Sequence, residues 1–470
     1  MAAQSKKKRG DAAVTRQVGL WQYLSNSLLF IFFMLLPVTF YSAFSASGEL
    51  YITLYNLPKL YLSIGFSFFL FAFLCFWASK DKNIATVSIV FLKKNAGFRL
   101  LLLFLLLLIF SVVQALVPAV AQLTLLHYFS LFILYYVLAC FFSNTARRWV
   151  AIYGFSLALF IFTILGIIQF YGFKIPFLLP ILGPASTFGY RNPAAHFIAL
   201  TIPFVIFAAR RHWQFWRSSK RPSQLVFLIV FSGLSAAALA LLFMNYSRVA
   251  IMALLAQILV VPFFWFISRK RDSKDTVSRS RRWLRLVTVT SLLLVIIVTL
   301  IIAFPNSRKR VESSFKKFQQ GGVSRLLEFR YYHWGNSLMM IKEHPLMGVG
   351  LGNWRFNYPL YYKSFVQDPL FNYNVQIRKV HNDYLQLAAE CGIPALVLFL
   401  ILWGRQFYLL RYATPADDDG EDWRLPILAS LTAFSVIMFF SFPMQMAYSR
   451  MFCFFLLALG EARAWPALLK

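Results

Sequence analysis

The feature that most constrains this chain is a succession of apolar runs about 20 residues long, the length that carries an α-helix across a bilayer. The first extends from about Val18 to Phe44. Further runs lie near 60–79, 100–118, 124–143, 149–171, 194–209, 224–244, 249–267, 286–304, 384–410, 426–443 and 449–465. The opening run is too long for the core of a secretory signal and more spans follow, so an uncleaved first helix is expected. Composition agrees: 59% of the 470 residues are hydrophobic, 52 are Phe and the mean hydropathy is +0.64, far above the balance of a soluble domain. The expected fold class is all-α, a polytopic integral membrane protein of about 12 transmembrane helices.

A formal charge of +30 raises the question of nucleic acid, but the basic residues fall in short runs between apolar spans, which is how orientation signals are laid out. With the N-terminus inside, about 30 of the 47 Lys and Arg fall on cytoplasmic segments, the richest being Arg210–Arg221 and Arg269–Arg285. The short external loops hold Lys59, Lys174, Arg191, Arg248 and Arg450, and the remaining 12 lie in one long external segment. Both termini are therefore expected in the cytoplasm, with membrane lipids as partners, their anionic headgroups included, and no nucleic acid.

The expected organisation is a single membrane domain: nine helices over 1–304, a long external loop over 305–383, and three helices over 384–470. Within the loop, Ser324 reads as an N-cap, and Leu327, Tyr331, Trp334 and Leu338 repeat at helical spacing. That pattern suits an amphipathic helix along the outer surface. Pro345 and the alternating Gly348, Gly350 and Gly352 mark a tight loop with close backbone approach. The acidic run Asp417–Asp422 reads as a solvated turn. Cys75, Cys140, Cys391 and Cys453 lack metal-ligand spacing; a Cys391–Cys453 bridge is conceivable, buried free thiols the plainer reading.

Where the long loop meets the next span, the sequence reads Arg378-Lys379-Val380-His381-Asn382-Asp383. Ionisable groups at the mouth of a membrane helix are costly and usually kept for use. His381 has the side chain suited to proton transfer near neutrality, and Arg378 and Lys379 would keep it unprotonated. His127, His196 and His212 read as satisfied polar groups. Glu390, nine residues on, falls on the opposite helical face at about 100° per residue and reads as structural, whereas Asn382 and Asp383 are placed to orient the ring. Arg191, Arg248 and Arg325 complete a basic rim whose planar guanidinium forks suit phosphate. An arginine at a membrane edge also snorkels to headgroups, the plainer reading for Arg325. Arg248 is different: it stands alone in an apolar hairpin, where a deep cation costs about 2.5–3.5 kcal/mol and calls for a compensating anion.

His381-Asn382-Asp383-Tyr384-Leu385, followed by Glu390-Cys391-Gly392-Ile393 and preceded by Pro345, Gly348, Gly350 and Gly352, resembles the signature region of the O-antigen ligase and polymerase superfamily. Ser247-Arg248-Val249-Ala250 and Arg191-Asn192-Pro193 are similar to its motifs; Ala395 and Ala194 stand where a second glycine and a second asparagine are common. The resemblance covers about 185–460. It implies transfer of a glycan from an undecaprenyl-diphosphate carrier to an acceptor hydroxyl at the outer face of the bacterial inner membrane, without a metal or other cofactor. His381 would be the general base, Arg191 and Arg248 would hold the diphosphate, and Arg325 would assist. A ligase acting on lipid A core is expected; a repeat-unit polymerase, a protein O-oligosaccharyltransferase and a lipid-linked glycan transporter are the alternatives. A transporter would carry ionisable residues near mid-span, and here they gather at one face.

Overall fold

The computed structural model describes residues 2–40, 48–173, 175, 178, 184–269, 276–372, 377–412 and 419–469, with side chains excepted over 2–18, 48–54, 265–269, 276–283, 285–286, 289, 323–326 and 463–469. Lys174 and Asp417–Asp418 fall outside these residues. The chain is a bundle of helices: α1 (Ala2–Val38), α2 (Gly48–Lys80), α3 (Lys82–Lys94), α4 (Ala96–Val112), α5 (Pro118–Phe141), α6 (Thr145–Phe170), α7 (Arg191–Ser219) and α8 (Pro222–Met244). It continues through α9 (Arg248–Arg269), α10 (Thr276–Ala303), α11 (Pro305–Leu327), α12 (Phe329–Glu343), α13 (Trp354–Tyr361), α14 (Asp383–Tyr412), α15 (Arg424–Phe440) and α16 (Ala447–Leu469). Among the described residues, each apolar run read from the sequence falls mainly on a helix; residues 41–44 of the first lie outside them. Seven helices are long and apolar enough to cross a membrane, or up to nine if the bent pairs α3–α4 and α10–α11 each form one span. This is a polytopic helical membrane protein; nine is the most that length and composition give among the described residues, against the twelve expected.

The phenylalanines explain how the bundle coheres. In lipid no hydrophobic force distinguishes a helix face from its surroundings, so association rests on packing. Phe455 of α16 meets Phe33 of α1 at 5.4 Å, Phe155 of α6 at 5.1 Å and Phe204 of α7 at 5.7 Å between ring centroids. Each such pair is worth about 0.5–1.5 kcal/mol, and one ring here ties three helices to a fourth. Buried polar groups add fixed joints. Pro203 inside α7 leaves the Ala199 carbonyl without its usual donor; Gln257 Nε2 of α9 donates to it at 2.9 Å and to Ala429 O of α15 at 3.2 Å. Arg405 of α14 grips Glu461 of α16 through two bonds of 2.9 Å, and Glu461 also accepts from Asn95, the N-cap of α4.

A break in α14 sets the position of the loop that precedes it. Gly392 takes φ 84 and ψ 166, and Pro394 has no N–H to donate. The groups freed there bond to the glycine loop: Val349 N donates to Ala389 O at 2.9 Å, Gly350 N to Glu390 O at 2.9 Å, and Ile393 N to Pro345 O at 2.7 Å. Glu390 Oε2 accepts from Gly352 N at 2.9 Å and Oε1 from Gln386 Nε2 at 2.9 Å, so it holds the loop, as expected. Met340, Trp354, Tyr358 and Val380 then close a small core of their own against Ala388 and Ala389.

Three expectations are corrected. Ser324 does not cap α12: it lies in the short helical stretch of α11 that follows the kink at Gly321 and Gly322, and α12 starts at Phe329 after Glu328, whose φ of 56 and ψ of −133 end the preceding turn. The face α12 buries is mixed, with His333, Asn336 and Ser337 beside Met340 and Ile341, while Leu338 is left exposed. The described part of the acidic run is not solvated. Asp419 Oδ2 accepts from Trp149 Nε1 at 2.7 Å, Glu421 is buried, and Asp422 holds Arg424 at 2.8 and 2.9 Å. All four cysteines are free, Cys391 and Cys453 buried.

Candidate active site

His381 sits two residues before α14 with φ 61, a left-handed backbone that costs a non-glycine residue about 1–3 kcal/mol. The residues on either side of it are fixed. Trp334 Nε1 donates to Val380 O at 3.2 Å, and Asn382 caps α14 by accepting from Leu385 N at 3.0 Å. Asp383 Oδ2 accepts from Met444 N at 2.7 Å. Asn382 and Asp383 thus anchor the helix start, and in place of the expected polar partners two aromatic rings hold the imidazole. Phe329 and Phe442 stand edge-on to it, with centroids at 4.8 and 4.9 Å. Its Nδ1 is buried and meets no donor or acceptor among the described residues.

Burial pushes the His381 pKa well below its ordinary value, and the charge of Arg330 pushes in the same direction, followed by His333 and Lys379. Lys379 acts as the sequence suggested, whereas Arg330 was not foreseen and has the larger charge effect. Lys379 is itself lowered to about 8, by burial. His333 lies 3.1 Å from Asp368, which also accepts from Tyr358 at 2.7 Å. Burial alone would raise the Asp368 carboxyl, but the bonds from His333 and Tyr358 outweigh it and hold it low. His196, read as satisfied, has both ring nitrogens buried without a partner among the described residues, unlike His127, which bridges Ser63 and Arg450.

The arginines gather at the same end of the bundle. Arg191 and Arg248 are the first residues of α7 and α9, brought side by side by the turn Asn245–Ser247. Arg191 stacks over Tyr246 at 4.9 Å, and Ser247 Oγ donates to Asn192 Oδ1 at 3.3 Å. Arg248 donates to Ser314 Oγ at 3.0 Å and pairs with Glu328 at 3.4 Å. Glu328 also pairs with Lys317 at 2.5 Å. Arg310 lies within electrostatic range of Arg191, Arg248 and Glu328. Arg330 donates to Phe440 O at 3.2 Å and is lowered to about 10 by burial first and by Arg248 second, so it keeps its charge at neutral pH.

Three consecutive residues join the two groups: Glu328 touches Arg248, Phe329 touches His381, and Arg330 acts on both through its charge. Arg310, Lys317, Glu328 and Arg330 were not singled out in the sequence, where they are four charges among many in a long polar stretch. The one available signal was the unusual pairing of a lone hairpin arginine with an acid in a segment poor in acids. Arg325 lies on α11, and its side chain falls outside the described residues. Among the described residues, no three His, Cys, Asp or Glu side chains converge as a metal-ligand set. The site brings a neutral imidazole beside a cluster of fixed cations, an arrangement able to accept a proton and to stabilise an anion.

Compared with known families, residues 233–400 match the model described as O-Antigen ligase. The match runs from α8 to the middle of α14 and includes Arg248, Glu328, Arg330 and His381. A search of curated proteins gives no match.

Proposed function

With the chain taken as a member of the O-antigen ligase superfamily, we propose that it is a glycosyltransferase that moves a glycan from an undecaprenyl-diphosphate carrier to an acceptor hydroxyl. His381 takes the hydroxyl proton as the oxygen attacks the anomeric carbon. The bond from that carbon to the phosphate oxygen breaks, and the diphosphate leaves with the electron pair. Arg191, Arg248, Arg310 and Arg330 are fixed where this negative charge develops, and preorganised cations favour such a transition state. A single displacement inverts the anomeric centre. The acceptor is lipid A core, the site faces the periplasm, and the 305–383 segment forms its outer wall; Arg325 is kept as an auxiliary contact.

The observation that carries this reading is the run Glu328–Arg330, which bonds to Arg248 on one side and packs against His381 on the other. A base and an anion-binding cluster joined by one short stretch can serve the two ends of one displacement. The test is transfer in vitro from a lipid-linked donor, with donor binding measured alongside. His381→Ala should lose about 10²–10⁴-fold in rate while donor binding persists, and Arg248→Ala should weaken donor binding itself. Wild-type transfer by His381→Ala would overturn the assignment. Lipopolysaccharide from a deletion strain then separates acceptors: bare core supports ligation to lipid A core, and core bearing one repeat unit points to a polymerase.

A further inference from the structure

The acid inside the arginine cluster has no part in the displacement just described, although it is the group that Arg248 touches. Glu328 faces Arg248 at 3.4 Å and Lys317 at 2.5 Å, with Arg310 and Arg330 in electrostatic range. One carboxylate therefore stands among four cations. The Arg248 contact is longer than the 2.7–2.9 Å of a good charge-assisted bond, and the second arm of that guanidinium turns to Ser314. The cluster keeps a surplus of positive charge that a single carboxylate does not use.

The backbone is broken on both sides of the stretch that precedes Glu328. At Glu328 the φ of 56 and ψ of −133 belong to a region favoured by glycine. Six residues earlier, Gly322 has φ 61 and ψ −148, and Gly321 is likewise non-helical. Glu328 thus follows the last short stretch of α11, with a break at either end of that stretch, and rotation at the two breaks would shift the carboxylate while α12 and the part of α11 before Gly321 stay wound.

We propose that Glu328 is a specificity-determining residue: a tethered anion that occupies the arginine site against singly charged phosphodiester headgroups and yields only to a diphosphate. This rests on reading the arginines as the diphosphate site. A site open to a membrane meets phospholipids in large excess over any carrier lipid. A carboxylate on a short tether competes at an effective concentration on the order of millimolar or more, enough to hold off a ligand of equal charge. A disubstituted diphosphate brings a second charge and more acceptor oxygens, which the surplus cations reward. Specificity here comes from a built-in competitor for the wrong ligand.

The test uses the purified full chain with two probes, inorganic pyrophosphate and a short-chain phosphatidylglycerol, in wild type, Glu328→Gln, Glu328→Gly and Arg248→Ala. Glycine suits the observed φ and ψ, so Glu328→Gly decides the matter should Glu328→Gln fold poorly. Wild type should prefer pyrophosphate, and both Glu328 variants should lose that preference by about tenfold or more, mainly by gaining phosphatidylglycerol binding. An unchanged ratio in both variants overturns the proposal while leaving the arginine site intact, provided Arg248→Ala weakens pyrophosphate. If Arg248→Ala leaves pyrophosphate binding unchanged, the diphosphate site itself falls, and this proposal with it.

Discussion

His381 is kept neutral by burial and by Arg330, and those two causes respond differently when an anion arrives. A bound diphosphate offsets the charge of the arginines but leaves the ring buried. In the free protein the His381 pKa lies well below 6.5, so the acid limb of kcat/KM should fall at low pH; in the donor complex the pKa rises, so the acid limb of kcat should lie at higher pH. Arg330→Gln removes one depressing charge and should move the kcat/KM limb upward, towards 6.5, while raising KM for the donor. Arg330→Lys should restore the limb more than the KM, because a point charge depresses the histidine but lacks the guanidinium fork. Coincident acid limbs in kcat and kcat/KM would argue against the anion lying beside His381. Of this site, His381, Arg191 and Arg248 were legible because each stands out locally. Glu328 and Arg330 were not, since their meaning depends on which distant residues they meet.

At the scale of the element, the break in α14 converts sequence into geometry. Gly392 and Pro394 announce it, and the three alternating glycines announce a close partner, but nothing local says that one fills the other. The reason both need glycine is steric. A Cβ on Gly392 would lie 2.1 Å from Leu346 O, and one on Gly348 would lie 2.3 Å from the Glu390 carbonyl carbon. Gly392→Ala meets that clash in addition to a φ of 84, and should destabilise the protein by at least about 1–3 kcal/mol, read as a lower thermal midpoint. Because the loop docks within ten residues of His381, transfer should fall further than the lost stability accounts for. A midpoint and activity equal to wild type would show that the loop and helix can separate. The α12 boundary was misread for a related reason. Helical spacing finds an apolar stripe but not which way it faces, and here polar residues of α12 are buried with Met340 and Ile341, bonding to Asp368, Tyr358 and Trp354.

For the whole molecule, hydropathy carried most of the fold: among the described residues every apolar run falls mainly on a helix, because a 20-residue apolar stretch has few other ways to satisfy its backbone in lipid. It could not tell which helices are central. In α7, 83% of the most apolar window is buried inside the protein, against 28% in the more apolar α8, a difference that only packing partners decide. Orientation is a separate matter, carried by charge. Read by the positive-inside rule, the distribution of Lys and Arg gives the proposed orientation, with the end bearing Arg191, Arg248 and His381 outside and the 305–383 segment with it. Ser364 is exposed within that segment, and Ser219 is exposed at the opposite end of α7 from Arg191. In a background with Cys75, the one exposed cysteine, replaced by Ala, Ser364→Cys should react with a membrane-impermeant maleimide in intact spheroplasts. Ser219→Cys should react only after permeabilisation. The reverse pattern would place the histidine in the cytoplasm, where the proposed acceptor would not be met.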